Sequence, residues 1–471
     1  EMWERFSFYG MRGMLAVFMV SQLMMDEKTT NLQYGATQAF VYAFPFIGGL
    51  FADKILGLRK SLFWGGLLMI VGSVILSLDP KNFFFLGISF TIVGTGFFKP
   101  NISSMVGQLY KENDVRQDAG FSLFYAGVNI GALIGGYICI AVAEGSLWSG
   151  FVPEHLRWNF AFGFAAIVMV VSLLTFTQTQ KSLGEIGLSP LQHLDKSKRR
   201  IREILTYIGL LAIIPVIILM VANTVYTDYF MMVIGPASLL YLLYEMRSFT
   251  VAENKKLVAA FVLIVFSIFF WAFFEQSGGS LSLFAVNNLH NTLLGFEVSP
   301  NGVNNSANSL FVIAFATVMG LLWIWMNSRK IEPNTVVKFG LGFLFLAGGF
   351  WVFYYTQFFA DPSGKTSLNL FTFGWFIITF GELCLSPIGL SAMSRLSPHK
   401  TQAVMMGIWY LASAYGQYFA GILGANIADA SENSTNLEKL IVYADGYKQL
   451  AIYALIAGLV LILISPLVKK L

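Results

Sequence analysis

The sequence predicts an all-α integral membrane protein with fourteen spanning helices. Three observations carry that prediction. The 471 residues are 56% hydrophobic and only 12% charged, against about a quarter charged in soluble domains, and the mean hydropathy is +0.67. Apolar stretches near the ~20 residues needed to cross a bilayer recur along the whole chain. Finally, Lys and Arg alternate from one connection to the next in the way that fixes membrane orientation.

Taken in order, the first span is 2–24, which opens EMWERFSFYGMRG and is apolar except for a set of charges. The chain begins on Glu1 already in helical pattern, so further residues are expected to precede it, and no cleavable leader pattern stands before it. Spans 35–52, 61–78, 83–107, 119–143 and 158–178 complete a first group of six. Pro100 interrupts the fourth and bends it, since proline removes a backbone donor, and Pro45, Pro387 and the paired glycines are candidate bends for which packing is an equal alternative. Gly131, Gly135 and Gly136 in the fifth suit close helix packing. The polar run KSLGEIGLSPLQHLDKSKRRIRE, 181–203, reads as a cytoplasmic linker. Spans 204–223 and 229–246 follow, apolar and without interior charge, and read as a structural hairpin on the outside of the bundle. The last six are 257–289, 307–326, 336–357, 368–394, 402–425 and 449–468. The domain reading is therefore a six-helix bundle over 1–178, a linker with two additional helices over 179–254, and a second six-helix bundle over 255–471.

With the first residue placed in the cytoplasm, cytoplasmic connections hold 21 of the 30 basic residues, the opposite side holds 6, and Arg5, Arg12 and Lys99 lie within spans. Among the cytoplasmic set are Lys111, Arg116, Arg395, Lys400, Lys469 and Lys470. The alternation closes only for an even number of spans, and it puts both termini in the cytoplasm. The net charge of +4 thus reflects topology, and no basic helix or aromatic platform suggests nucleic acid.

Seven charges fall inside apolar spans: Glu1, Glu4, Arg5, Arg12, Lys99, Glu275 and Glu382. A charge at mid-bilayer costs about 2.5–3.5 kcal/mol on insertion scales and faces a wet interior or a partner. At ~100° per residue, with Glu1 at zero, Arg12 falls near ~20°, Arg5 near ~40°, Glu4 near ~−60°, Phe8 near ~−20° and Tyr9 near ~80°. The four charges share an arc of roughly 100°, a polar stripe three turns long. Glu1 at a membrane edge would instead reach into headgroups, and Lys99 in GTGFFKPN would reach the cytoplasmic interface; an interior position is expected for both Arg12 and Lys99. Glu275 in FFEQSGGS and Glu382 in FGELCLSP have no basic partner within a helical turn. Each needs a partner on another helix or a proton, and a carboxylate that alternates between the two is a proton carrier. Asn129, Asn308, Tyr9, Tyr42, Ser386, Trp409 and Ser413 are the other interior polar groups, and each alone is as consistent with helix packing as with ligand contact.

Cys139 and Cys384 lie in apolar stretches with no CxxC spacing, which indicates neither a disulfide framework nor a metal site. His155, His193, His290 and His399 fall in polar connections, so no pair of buried imidazoles is expected to ligate haem. No GxSxG, HExxH or Asp-rich stretch points to a membrane enzyme, and no pore loop or charge ring points to a channel.

Several ordered motifs resemble one family. GGLFADKILGLRK resembles the loop between the second and third helices of the major facilitator superfamily. EMWERFSFYGMR resembles the ExxERFxYYG signature of the proton-dependent oligopeptide transporters, the POT family, and GTGFFKPNISSMVGQLY, DAGFSLFYAGVNIGA, FFEQSGGS and GELCLSP are similar to its other motifs. Fourteen spans fit its bacterial members, which carry two additional helices. The resemblance implies a major facilitator superfamily fold and a proton-coupled symporter importing di- and tripeptides across the bacterial inner membrane by alternating access. Nitrate or another small organic solute is the alternative cargo. It implies Glu1, Glu4, Arg5 and Glu275 for proton coupling. Arg12 and Lys99 would hold the peptide carboxylate, Glu382, Asn129 and Asn308 its amino terminus, and Tyr9, Tyr42, Trp409 and Ser413 would line side-chain pockets. It implies no metal and no cofactor beyond the coupling proton, and leaves the oligomeric state open. Two departures stand out: the family's tandem tyrosine reads Phe8-Tyr9, and its Asn-Pro reads Asn308-Ser309.

Overall fold

A computed structural model describes residues 1–110, 117–396, 402–428 and 434–468. Lys111, Arg116, His399, Lys400, Lys469 and Lys470 lie outside the described residues, as do the side chains of Pro387 and Arg395. The described chain is almost wholly helical, in the order α1 (Met2–Ser21), α2 (Glu27–Phe51), α3 (Leu58–Leu78), α4 (Phe84–Gln108), α5 (Gln117–Glu144), α6 (Arg157–Thr179), α7 (Lys196–Ala222), α8 (Thr224–Glu245), α9 (Val251–Phe274), α10 (Ser280–Asn288), α11 (Pro300–Ser328), α12 (Thr335–Tyr355), α13 (Leu368–Leu396), α14 (Gln402–Ile427) and α15 (Asn436–Val468). A two-residue hairpin, β1 (Thr292–Leu293) with β2 (Phe296–Glu297), follows α10.

Eleven described spans are long and apolar enough to cross a membrane. The others are α1, α4 and α14, of 20, 25 and 26 residues. At 1.5 Å per residue each reaches the ~30 Å of a hydrocarbon core. α1 and α4 are diluted by the interior charges and α14 by Gly, Ser, Gln and Tyr.

Several boundaries differ from the sequence reading: α2 begins at Glu27 rather than 35, α7 at Lys196 rather than 204, inside the stretch read as linker, and four further differences bear on the site. The span 257–289 is not continuous: α9 ends at Phe274, a 3-10 turn runs over Glu275–Gly278, and α10 restarts at Ser280. α11 begins at Pro300 rather than 307, because Ser299 caps it and its asparagines bond one another inside the protein instead of facing water. α15 begins at Asn436 rather than 449. α8 begins at Thr224, capped by Asn223 Oδ1 on the Val225 N–H (3.2 Å), which brings Asp228 into the helix. The hairpin therefore does contain a charge, and Tyr418 donates to it at 2.6 Å.

The chain packs into two compact units, Glu1–Phe18 with Ala36–Thr227 and Met19–Gly35 with Asp228–Leu471. Within the first, close helix contact rests on glycine. A Cβ at Gly48 would lie 2.0 Å from the Gly96 carbonyl, joining α2 to α4. One at Gly131 would lie 2.2 Å from the Met2 carbonyl and one at Gly135 2.2 Å from that of Phe6, joining α5 to α1. The linker is also held in this unit. Arg59 donates from Nε to the Ile186 carbonyl and from Nη2 to that of Gly184, each at 2.6 Å, and the Ser189 hydroxyl donates to the Ile55 carbonyl at 2.6 Å. In the second unit an aromatic core of Phe284, Phe353, Phe371, Trp375 and Tyr447 joins α10, α12, α13 and α15. The segment 19–35 belongs here because Glu27 accepts from Lys439 Nζ at 2.9 Å and from the Tyr443 hydroxyl.

Gly57 precedes α3 with φ 79° and ψ 160°, a region open essentially only to glycine. A Cβ there would meet the Leu188 and Ser189 backbone at 2.6 Å. Gly57→Ala is expected to lower stability by at least about 1–3 kcal/mol and to free the linker. Gly49, where an added methyl would meet nothing within 4 Å, is the control. Equal melting temperatures for Gly57→Ala and Gly49→Ala in detergent would remove the linker clamp.

Candidate functional site

The charged stripe of α1 sits fully inside the first unit. Glu4 is 0% exposed, Arg5 3% and Arg12 5%. Arg5 forks onto Glu4, Nε to Oε2 at 2.5 Å and Nη2 to Oε1 at 2.8 Å, and reaches Glu1 Oε1 at 3.1 Å. A planar guanidinium suits this bidentate geometry, and two acids on one base leave an excess negative charge. Glu1 Oε2 is buried and accepts no hydrogen bond among the described residues.

Two further cations, Arg12 on α1 and Lys99 on α4, lie against aromatic rings. The Arg12 guanidinium is 5.8 Å from the Tyr9 ring centroid, and Lys99 Nζ is 3.9 Å from that of Tyr42. Both geometries are within reach of a cation–π attraction. Lys99 also lies close enough to attract the Glu1 carboxylate. The first unit thus gathers Glu1, Glu4, Arg5, Tyr9, Arg12, Tyr42 and Lys99 on α1, α2 and α4. Asn129 on α5 donates to the Tyr125 carbonyl of its own helix at 3.0 Å. Phe8 meets Tyr9 edge-to-face, with ring centroids 5.3 Å apart.

In the second unit the break between α9 and α10 organises the site. Glu275 is buried at the end of α9. The break exposes backbone groups that hydrocarbon cannot satisfy, and side chains do so. Gln276 Nε2 donates to the carbonyls of Ala272 (3.1 Å) and Ala420 (3.0 Å). The Ser277 carbonyl accepts from Asn304 Nδ2 and from the Ser282 hydroxyl, each at 2.7 Å. Asn304 Oδ1 in turn accepts from Trp375 Nε1 at 3.2 Å. Gly278 and Gly279 are needed because Tyr34 and Asn31 press on them: a Cβ would lie 1.7 Å from the Tyr34 hydroxyl and 2.7 Å from Asn31 Oδ1.

Asn308 and Glu382 are brought together. Asn308 Nδ2 donates to Glu382 Oε2 at 2.8 Å and to the Thr379 hydroxyl at 3.2 Å. Glu275 lies near enough to repel a charge on Glu382, so this unit holds two acids in one field. Trp409 is buried on α14 beside Gly389, and the Ser413 hydroxyl donates to the Trp409 carbonyl at 3.4 Å.

Sequence reasoning missed other buried charges. Glu27 with Lys439 and Glu203 with Lys60 (2.6 Å) fall in polar connections by hydropathy, and Lys338, at the start of the span 336–357, pairs with Glu332 just before it. Each is paired by a residue that sequence proximity does not reveal, except Glu332, six positions from its partner. Gln38, one turn before Tyr42, is 0% exposed, and its amide has no hydrogen-bond partner among the described residues. Its position on the Tyr42 side of α2 is the one signal the sequence offers for it.

A helical membrane protein with a buried charged stripe on its first helix and a broken span ending on a buried glutamate is built as a secondary transporter. Residues 59–440 match the POT family, and the chain belongs to that family. A peptide transporter of Yersinia enterocolitica is 32% identical over 91% of this chain and 86% of its own length. Dipeptide and tripeptide permease B of Aeromonas hydrophila is 26% identical over 100% and 92%. Among solved structures, a POT peptide transporter bound to alafosfalin superposes with a TM-score of 0.82 at 30% identity, covering 100% of this chain and 93% of that one. A POT family transporter bound to 5-aminolevulinic acid gives 0.83 at 29%, covering 99% and 94%.

Asn304→Ala should destabilise the protein by about 1–3 kcal/mol, since it strips partners from Ser277 and Trp375. Asn308→Ala, whose partners are side chains at the candidate site, should melt near the parent temperature. Thermal unfolding in detergent separates the two, and a reversed order would remove Asn304 as the support of the break.

Proposed function

We propose that this chain is a proton-coupled symporter that imports di- and tripeptides by alternating access between its six-helix halves, residues 1–178 and 255–471. It sits in the bacterial inner membrane with both termini in the cytoplasm, binds no cofactor and leaves its cargo chemically unchanged. The observation that carries this reading is that each unit offers one pole for a dipolar cargo: the first holds the cations Arg12 and Lys99 beside its Glu1–Glu4–Arg5 cluster, and the second holds the paired Asn308–Glu382 with Glu275. A short peptide is a zwitterion of nearly fixed backbone and variable side chains. A site that grips its ends by opposite charges accepts many sequences. The names of the relatives support this choice over nitrate.

In the proposed cycle the peptide carboxylate binds Arg12 and Lys99 while Glu275 is protonated. Glu382, Asn308 and Asn129 take the amino terminus, and Tyr9, Tyr42, Trp409 and Ser413 border the side chains. Release of the Glu275 proton to the cytoplasm restores its charge. It then competes with the peptide for Arg12 or Lys99 and expels the cargo. Glu1 and Glu4 compete for Arg5 in the same way and form a second protonation point. One charge moved down 100 mV supplies about 2.3 kcal/mol, enough for about 50-fold accumulation at full coupling.

Glu275→Gln should keep peptide counterflow in liposomes but lose pH-driven uptake; concentration of peptide at the parent level would reassign the relay. Lys99→Ala should also lose proton-driven uptake. Arg12→Ala should weaken binding of free peptides about ten-fold or more, and of C-terminally amidated peptides much less, as expected for a lost charge-assisted bond of about 1.5–3 kcal/mol. Equal losses would take Arg12 out of the carboxylate role.

A further inference from the structure

The first two turns of α7 carry Lys196, Lys198, Arg199, Arg200 and Arg202, five cations in seven positions. Two carboxylates lie among them, and both are committed. Asp195 caps the helix, accepting from the Ser197 N–H at 3.3 Å. Glu203 binds Lys60 at 2.6 Å and Arg199 at 3.8 Å. Lys196, Lys198, Arg200 and Arg202 are exposed, and no carboxylate pairs with them among the described residues.

Their placement on the helix is specific. With Lys196 at zero and ~100° per residue, the buried residues Glu203, Thr206, Leu210, Ile214, Ile217 and Val221 fall between about 280° and 360°. This face is fixed to α3 by the Lys60–Glu203 pair and by the Trp64–Tyr207 ring contact at 4.8 Å. The exposed Ile201, Ile204, Leu205, Ile208 and Leu211 occupy about 60–180°, the side away from the unit. Lys198 and Arg202, near ~200° and ~240°, border one edge of that aliphatic strip. Lys196 and Arg200, near ~0° and ~40°, border the other. The helix N-terminus adds its own positive potential.

We infer that the cytoplasmic end of α7 is a docking surface for an anionic phospholipid. The headgroup phosphate is held between the flanking cations, and an acyl chain lies along Ile201, Leu205 and Ile208. The match is one of charge and of layer: the cations sit immediately outside an apolar span, where the anionic leaflet surface lies, and the aliphatic strip begins between them. A soluble phosphate would satisfy the cations but not the strip.

The test is retention of phosphatidylglycerol against phosphatidylcholine by purified full-length protein, read by native mass spectrometry. The parent should prefer phosphatidylglycerol, and glycerol phosphate should not displace it. Combined Lys196→Gln, Lys198→Gln, Arg200→Gln and Arg202→Gln should abolish the preference, at about five-fold per cation removed. Combined Lys196→Arg and Lys198→Arg should keep it, as should Lys255→Gln with Lys256→Gln at the cytoplasmic end of α9. An unchanged preference in the four-fold variant, an equal loss in the Lys255/Lys256 variant, or displacement by glycerol phosphate would each overturn the site. Binding is read without peptide or pH gradient, so a negative result leaves the transport reading standing.

Discussion

In hydrocarbon no water is at hand to satisfy a polar group, so the protein must supply every partner itself. That constraint governs most of what is distinctive in this structure. Arg5 is tolerable at 3% exposure because Glu4 and Glu1 surround it. The break after α9 is tolerable because Gln276, Asn304 and Ser282 meet the backbone it exposes. Conversely, the groups that the rest of the fold leaves undersatisfied are where exchange of partners costs least. Glu1 Oε2, buried with no hydrogen-bond partner among the described residues, is one such group.

The second governing feature is distance of approach between helices. Apolar burial gives no preference for one neighbour over lipid, so contact area and close backbone packing decide which helices touch. Gly131 and Gly135 let α5 seat directly on the backbone of α1, which fixes the rotation of the helix that carries the charged stripe. The same device at Gly48 and Gly96 sets α2 against α4 and so brings Tyr42 beneath Lys99. Small residues remote from any charge therefore determine which charged groups share a site.

Much of this is legible in the sequence. The spans are readable because about 20 apolar residues in a row have few other uses, and the pairing of Asn308 with Glu382 lies on helices that carry recognisable motifs. The break at Glu275–Gly278 is hidden because the residues before it are apolar, and hydropathy does not register a change of helix axis. The start of α11 is hidden for the opposite reason: Asn301, Asn304 and Asn305 look like a loop until they are seen bonding to one another and to Ser277 and Ser282. Glu27 and Glu203 look like surface charges because Lys439 and Lys60 are 412 and 143 positions away.

The sequence alone determined the membrane class, the number of crossings, the interior charges and the family, because length, hydropathy and ordered motifs are local properties. Only the tertiary structure decided which acid holds which base, where a span breaks, and that the linker is clamped by Arg59 rather than loose. Those outcomes depend on helix rotation and close approach, set by contacts between residues far apart along the chain.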